Sequence, residues 1–326
     1  PLCARAPNSQ VMLQLARFTQ PNYKDLAKTT GKPQLITIPY SHFCELACWA
    51  LDTAEPAVQY DHVGCAPGAH ILPTISLRLG DSGGQKHLAT SSKVQSVKSK
   101  SGSTSASNPT SVPICALPDG RVLVDSWEIA SLGFGGMGSP DKEMRLPVGA
   151  AEGSGMTWGE LKNCLDYDVG PLARQLAYVV LFRPCNSEVW NGLCTDMQTT
   201  SFTWRRLWWA GAGSQLTAKM VDIFATDDEG EVSKCRERLR IVYADLADKL
   251  GLGQGLREYI GGDRPVLADY ALAALAAPTV LPAQYCRGKY DAFFSKLTIL
   301  DHDWQQEIVS WRETPVGRHA LKMYER

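Results

Sequence analysis

Apolar and polar residues follow distinct rhythms along this chain, and each rhythm predicts an element. Leu35-Ile36-Thr37-Ile38, fenced by Pro33 and Pro39, is a short continuous apolar run of the length a buried strand takes. Ser41 stands where a helix would begin. The spacing of Phe43, Ala47, Ala50 and Leu51 predicts a helix to about Thr53 with those residues inward. Val58-Gln59-Tyr60 predicts a second strand. Residues 112–124 predict a hairpin: a strand over 112–117, the turn Pro118-Asp119-Gly120, then Val122-Leu123-Val124. Proline presets the first central turn position, and glycine accepts the positive φ that follows. Asp125, with Glu128 three residues on, opens the next helix in the manner of a capping box. From Thr157 onward the period is helical, predicting helices over 157–182, about 200–225, 230–250 and 265–277, and two near 284–312 and 314–325.

Three stretches break these rhythms. Residues 1–32 carry a short amphipathic segment (Val11, Leu13, Leu15, Phe18) between proline-containing pieces and read as an appended arm. Residues 80–111 hold ten serines and four lysines, with no acid between Asp81 and Asp119. Such a stretch cannot bury enough apolar surface to offset its ordering entropy, so it is expected to be a flexible insertion. Between Gly133 and Gly155 lie seven glycines and two prolines, which read as a linker. The predicted organisation is an arm (1–32), an α/β domain with a mixed four-stranded sheet (33–135, interrupted by 80–111), a linker (136–156) and an all-α helical bundle (157–326).

Composition narrows the function class. At 326 residues the chain can hold two domains and a large core. A net charge of -1 gives no electrostatic case for nucleic acid. No run approaches the roughly 20 apolar residues of a membrane span; the longest, residues 270–281, is broken by Pro278 and Thr279. Ten scattered cysteines include no C-x-x-C and no Cys/His spacing of the zinc-finger kind. The expectation is reduced thiols, no metal, and a reducing compartment. Arg5, Arg17, Lys24 and Lys28, opposed only by Asp25, would suit the end of an organellar targeting region. Cytoplasm and an organelle (plastid or mitochondrion, after leader removal) both stay open.

Four places carry a family resemblance. Ile-Pro-Tyr-Ser-His-Phe-Cys-Glu-Leu-Ala-Cys-Trp-Ala-Leu (38–51) forms a strand–helix junction, and Ser-Val-Pro (111–113) precedes a strand. Asp125-Ser126 begins a helix, and Leu-Ala-Asp-Tyr-Ala-Leu-Ala-Ala (267–274) is an apolar helix with one acid. In this order they resemble the cytosolic-type glutathione S-transferases, over residues 34 to 326. The ending Thr-Pro-Val-Gly-Arg-His-Ala-Leu-Lys-Met-Tyr is similar to a microbial and algal branch. The resemblance implies a thioredoxin-like domain followed by an all-helical one, with glutathione as co-substrate and a hydrophobic electrophile as partner. It places the active-site Ser or Cys at the 38–51 junction, a cis-proline at Pro113 and the γ-glutamyl grip at Asp125-Ser126.

Physical reasons stand beside it. A helix N-terminus offers unpaired N–H groups and positive potential, so Ser126 would bind the γ-glutamyl carboxylate while Asp125 attracts the amine. The Val112 backbone would pair with the cysteinyl part like an added strand, with Pro113 following. The plainer role of Asp125 and Ser126 is capping. Ser41, at a helix start, could donate a hydrogen bond to the glutathione sulfur and favour its thiolate; its plainer role is N-cap. Tyr40 is a second candidate hydroxyl. Cys44 occupies the place of a resolving thiol, yet Ser41 stands where its partner would be, so a core role is expected. His42 is expected at the surface or in the cap.

The chain departs from the family in three ways. Leu46 and Cys48 stand where basic residues are common, and Val266 stands where Ser or Thr usually caps Asp269. The third departure is the insertion just before Val112. Phe202-Thr203-Trp204-Arg205-Arg206-Leu207-Trp208-Trp209 is aromatic on both helix faces: core and domain interface, or a substrate or partner wall. Residues 229–240 read as a solvated charged face. Three functions follow in order: a glutathione transferase-like enzyme; a non-catalytic subunit of a larger assembly with the same fold, joined through the 80–111 loop or the arm; and a glutathione-dependent thiol oxidoreductase using Cys44.

Overall fold

The computed structural model describes residues 21–54, 57–79, 111–134, 155–253, 258–286, 294–296 and 302–326. The 11–18 segment, nearly all of the Ser/Lys insertion and most of the 136–156 linker lie outside the described residues.

Helix α1 (Tyr23–Thr30) begins at Asn22, whose side chain accepts from the Lys24 and Asp25 N–H groups, and ends at Gly31 with φ 67°. It falls in the stretch read as an arm. That reading needs correction, because Tyr23 and Ala27 are buried against the sheet. Strand β1 (Gln34–Thr37) is buried throughout, as its apolar run predicts. It leads to α2 (His42–Asp52), β2 (Asp61–Gly64), α3 (Ile71–Leu79), β3 (Ile114–Ala116), β4 (Val122–Leu123) and α4 (Ser126–Gly133). The strand order is β2-β1-β3-β4, with β1 and β2 parallel and the other pairings antiparallel.

The second strand is three residues later than expected. Pairing of Gln34 with Asp61 sets the register, and Val58 and Tyr60 instead pack against Leu35, Ala47 and Leu51. Their apolar character therefore serves the helix layer. Helix α3 was not anticipated, since Pro73 interrupts its pattern; proline is tolerated in the first turn, where its missing N–H has no intrahelical partner.

Alternation along the strands divides the core in two. Ile36, Ile114, Ala116 and Val122 face α1 and α3. Leu35 and Cys115 face the other way, onto Ala47 and Leu51 of α2 and Ile129 of α4. Helices α2 and α4 approach closely enough that a Cβ on Gly133 would stand 2.0 Å from the Ala50 carbonyl oxygen.

The helical region begins with α5 (Trp158–Cys164), capped by a Thr157–Glu160 capping box. A π-helical turn over Leu165–Val169 joins it to α6 (Gly170–Leu181). Pro171 explains the widened turn: it cannot donate to the carbonyl one turn back, and its ring crowds that carbonyl. There follow α7 (Ser187–Thr195), α8 (Phe202–Leu207), a second π turn (Trp208–Ala212), α9 (Gly213–Phe224) and α10 (Glu229–Lys249). Then come α11 (Leu267–Val280), α12 (His302–Arg312) and α13 (Pro315–Tyr324). No helix among the described residues is long and apolar enough to cross a membrane.

Every residue of α11 is buried. Its acid, Asp269, is 0% exposed and carries the polar load of the helix start. Asp269 accepts from the N–H groups of Ile260 (2.7 Å), Val266 (2.8 Å) and Gly261 (3.3 Å), and His319 Nε2 of α13 lies 3.2 Å away. Val266 offers no side-chain acceptor, but its carbonyl takes the Asp269 N–H at 2.9 Å. The departure at Val266 is thus made good by the backbone.

Replacing Asp269 by Ala strips three backbone donors of their acceptor in a buried place. At about 1–3 kcal/mol for each stranded group, the variant is expected to unfold tens of degrees lower or to fail to fold, read by circular dichroism on heating. An unchanged melting temperature would show that the clamp is dispensable.

Candidate functional site

The register brings the sequence-predicted residues to one end of the strands. Strand β1 runs toward Ser41, and its antiparallel partner β3 starts at the same end, just after Val112-Pro113. Strand β4, antiparallel to β3, runs back to that end and delivers Asp125 and Ser126. Three chain segments, 12 to 85 residues apart in sequence, therefore meet through strand pairing. The Val112–Pro113 peptide bond is cis.

Ser41 occupies the N-cap position of α2, but its side chain makes no cap bond. Its hydroxyl lies close enough to the Cys44 thiol to favour the charged form of that group. Cys44 is 1% exposed, and its sulfur accepts from the Ile38 N–H at 3.4 Å. Burial pushes the thiol up to about 12, outweighing the opposing influence of Ile38 and Ser41. A buried thiol of that kind is a core group, since the thiolate is the reactive species. Ser41 itself is partly buried.

Tyr40 is half-buried, and burial, with Asp196 nearby, pushes its hydroxyl far above the ordinary tyrosine range. It stays a neutral phenol. Its carbonyl accepts from the Tyr285 hydroxyl at 3.0 Å, which ties the loop before Ser41 to the helical region. His42 is not at the surface. It is 3% exposed, and burial and the Arg174 charge lower it to about 3, so the ring is neutral. The ring sits where the first turn of α2 meets Gly170 and Arg174 of α6. The apolar neighbours Phe43 and Leu46 pull that turn into the core, and the histidine follows.

At the other pole, Asp125 caps α4, its Oδ1 accepting from the Trp127 N–H at 2.7 Å. Ser126 is 3% exposed. Trp127 donates from its indole nitrogen to Asp166 Oδ1 at 2.7 Å, and Lys162 holds the other Asp166 oxygen at 3.1 Å. This buried chain fastens the start of α4 to the π turn of the helical region. Sequence reasoning did not single out Trp127, Asp166 or Tyr285; the one available signal was an acid, Asp166, among the apolar positions of a predicted helix. It also missed Arg78, whose Nη2 donates to both the carbonyl (3.1 Å) and the hydroxyl (2.9 Å) of Ser111.

No family model and no curated protein matches the sequence. Among solved structures, the chain is similar to a glutathione transferase of Phanerochaete chrysosporium in complex with oxidized glutathione, at 12% identity. That alignment covers 91% of this chain and 98% of the other, with a TM-score of 0.40. A trimeric glutathione transferase of Leishmania is similar at 15% identity, over 98% of this chain and 52% of its own, with a TM-score of 0.34. A glutathione S-transferase of Methylobacterium radiotolerans in complex with glutathione sulfonate is similar at 16% identity, over 89% and 94%, with a TM-score of 0.33. The strand order β2-β1-β3-β4, the helices on both sheet faces and the helical region that follows are the architecture the sequence resemblance implies.

The burial of Cys44 has a direct readout. In the native protein at pH 8, maleimide should modify exposed Cys185 within minutes and leave Cys44 unmodified until denaturant is added, as followed by peptide mass spectrometry. Equal labelling of the two would return Cys44 to the list of reactive thiols.

Proposed function

We propose that the chain is a glutathione transferase-like enzyme that joins the glutathione sulfur to a hydrophobic electrophile. The observation that carries this reading is the meeting of Ser41, Val112-Pro113 and Asp125-Ser126 at one end of the strands. The γ-glutamyl carboxylate would lie at the α4 N-terminus, where the helix dipole and the Ser126 hydroxyl favour an anion. Asp125 would attract the amine, and the Val112 N–H and C=O would pair with the cysteinyl unit. Ser41, whose hydroxyl is not used in the helix cap, would donate to the glutathione sulfur and stabilise the thiolate. The thiol proton leaves to solvent, the sulfur lone pair forms the new S–C bond, and the electrophile releases its leaving group or takes up the electron pair. Tyr285 and Phe294, which approach Tyr40 from the helical region, stand on the side where the electrophile would lie.

A second reading is favoured by one observation. Ser126 is buried and Asp125 is engaged as a cap, which is how these residues would look in a non-catalytic subunit that keeps the fold for assembly. Val266 lends this reading nothing, because Asp269 is fully bonded without a side-chain cap there. Thiol oxidoreductase chemistry at Cys44 has the least support, given its burial.

Retention on immobilised glutathione tests the binding pole, and turnover separates the first two readings. The wild-type chain should be retained, and Ser126→Ala and Asp125→Ala should elute early; equal retention of the variants would remove glutathione from this pole. Ser41→Ala should stay bound but turn over a generic aryl halide about 10- to 100-fold more slowly, the worth of one hydrogen bond to a charged group. An unaffected rate would exclude Ser41 as activator, and an inert wild type that still binds glutathione would favour the assembly reading.

A further inference from the structure

Arg78 lies at the C-terminal end of α3 and is 1% exposed. Burying a guanidinium without a counter-charge is costly, so buried arginines ordinarily face carboxylates. Burial lowers the Arg78 pKa, and no acid among the described residues offsets it. Its Nε and Nη1 make no hydrogen bond among the described residues. Both bonds that it does make go to Ser111, through Nη2, across 33 residues of sequence. They close the neck of the 80–111 insertion.

The peptide unit gripped in this way is the one that matters for the site. The Ser111 carbonyl and the Val112 N–H belong to the same planar group. Pairing of β3 with β1 starts at Ile114, so the Val112 N–H and C=O stand beyond the last sheet pair. A charged donor on the carbonyl fixes the plane of that unit and, by polarising it, strengthens its N–H as a donor. Resting on the glutathione reading above, we propose that Arg78 is a positioning residue of the glutathione site: it holds and polarises the Ser111–Val112 peptide group, whose N–H binds the cysteinyl carbonyl. It also keeps that corner in place against the insertion that enters directly before it.

The test uses the full chain and reduced glutathione in isothermal titration calorimetry. Arg78→Met keeps an unbranched apolar stem and removes charge and donors; it should weaken glutathione binding about tenfold, the order of one charge-assisted hydrogen bond. Ser111→Ala keeps the carbonyl and should bind within twofold of the wild type. Arg78→Lys, whose ammonium reaches nearly as far and can still donate to that carbonyl, should recover part of the loss. A second readout needs no ligand: with serine carbonyl-13C and valine 15N labels, the Val112 amide nitrogen should shift in Arg78→Met and return toward its wild-type position in Arg78→Lys. Wild-type binding that persists unchanged in Arg78→Met, or an unmoved Val112 signal, overturns the role of Arg78. A wild type that binds no glutathione overturns the reading of the site, and the role with it. Should Arg78→Met fail to fold, a Val112 signal in Arg78→Gln identical to that in Arg78→Lys, whose donor is a single point charge, overturns the role, and a displacement between them supports it.

Discussion

The antiparallel pairing of β1 with β3 is the constraint on which the rest depends. With Ile36 opposite Ile114, both apolar faces of the sheet are filled, one by α1 and α3 and the other by α2 and α4. A slip of one residue would turn Leu35 and Ile36 to the wrong faces at once, so the register is strongly held. The same register decides where the chain turns at the end of each strand. Ser41, Val112 and Asp125 meet because the strands that carry them end together, not because of any attraction among those residues.

A second level of order comes from the helical region, which grips the first domain at the points nearest the site. Tyr285 holds the Tyr40 carbonyl, Asp166 holds the Trp127 indole, and Trp49 packs edge-on to Tyr270 at 5.1 Å. Leu46 and Ala50 of α2 share one apolar cluster with α11. Loss of positive charge at Leu46 and Cys48 fits this packing: side chains at those positions are buried, where an unpaired cation would be costly. The corner before Val112 is held from the other side by Arg78, so both ends of the site are fastened by buried polar contacts.

Several elements were legible from the residues alone. The hairpin turn at Gly120, the capped start at Asp125, the buried run of β1 and the helix over 229–249 follow from turn chemistry, capping and period, which act within a few residues. What escaped has a common cause. The place of β2 depends on which residue pairs with Gln34, and the burial of His42 depends on α6 arriving opposite it. Helix α3 was hidden by Pro73, which breaks a local pattern without breaking a first turn. Ser41 makes no cap bond and Cys44 is a core group, both set by how deeply the first turn of α2 sinks into the core.

The sequence by itself determined β1, the hairpin and several helix starts, the succession of an α/β and an all-helical part, and the residue types available at the candidate site. These are properties of local backbone preference and hydrophobic period, and they can be read one segment at a time. Only the tertiary structure decided which of those residues are accessible, which are spent on capping, and which distant side chain supports them. Burial sets whether a thiol is an acid or a core atom, and contact sets whether an arginine such as Arg78 solvates itself in water or serves a peptide group 33 positions away. Neither quantity exists until the chain has closed on itself.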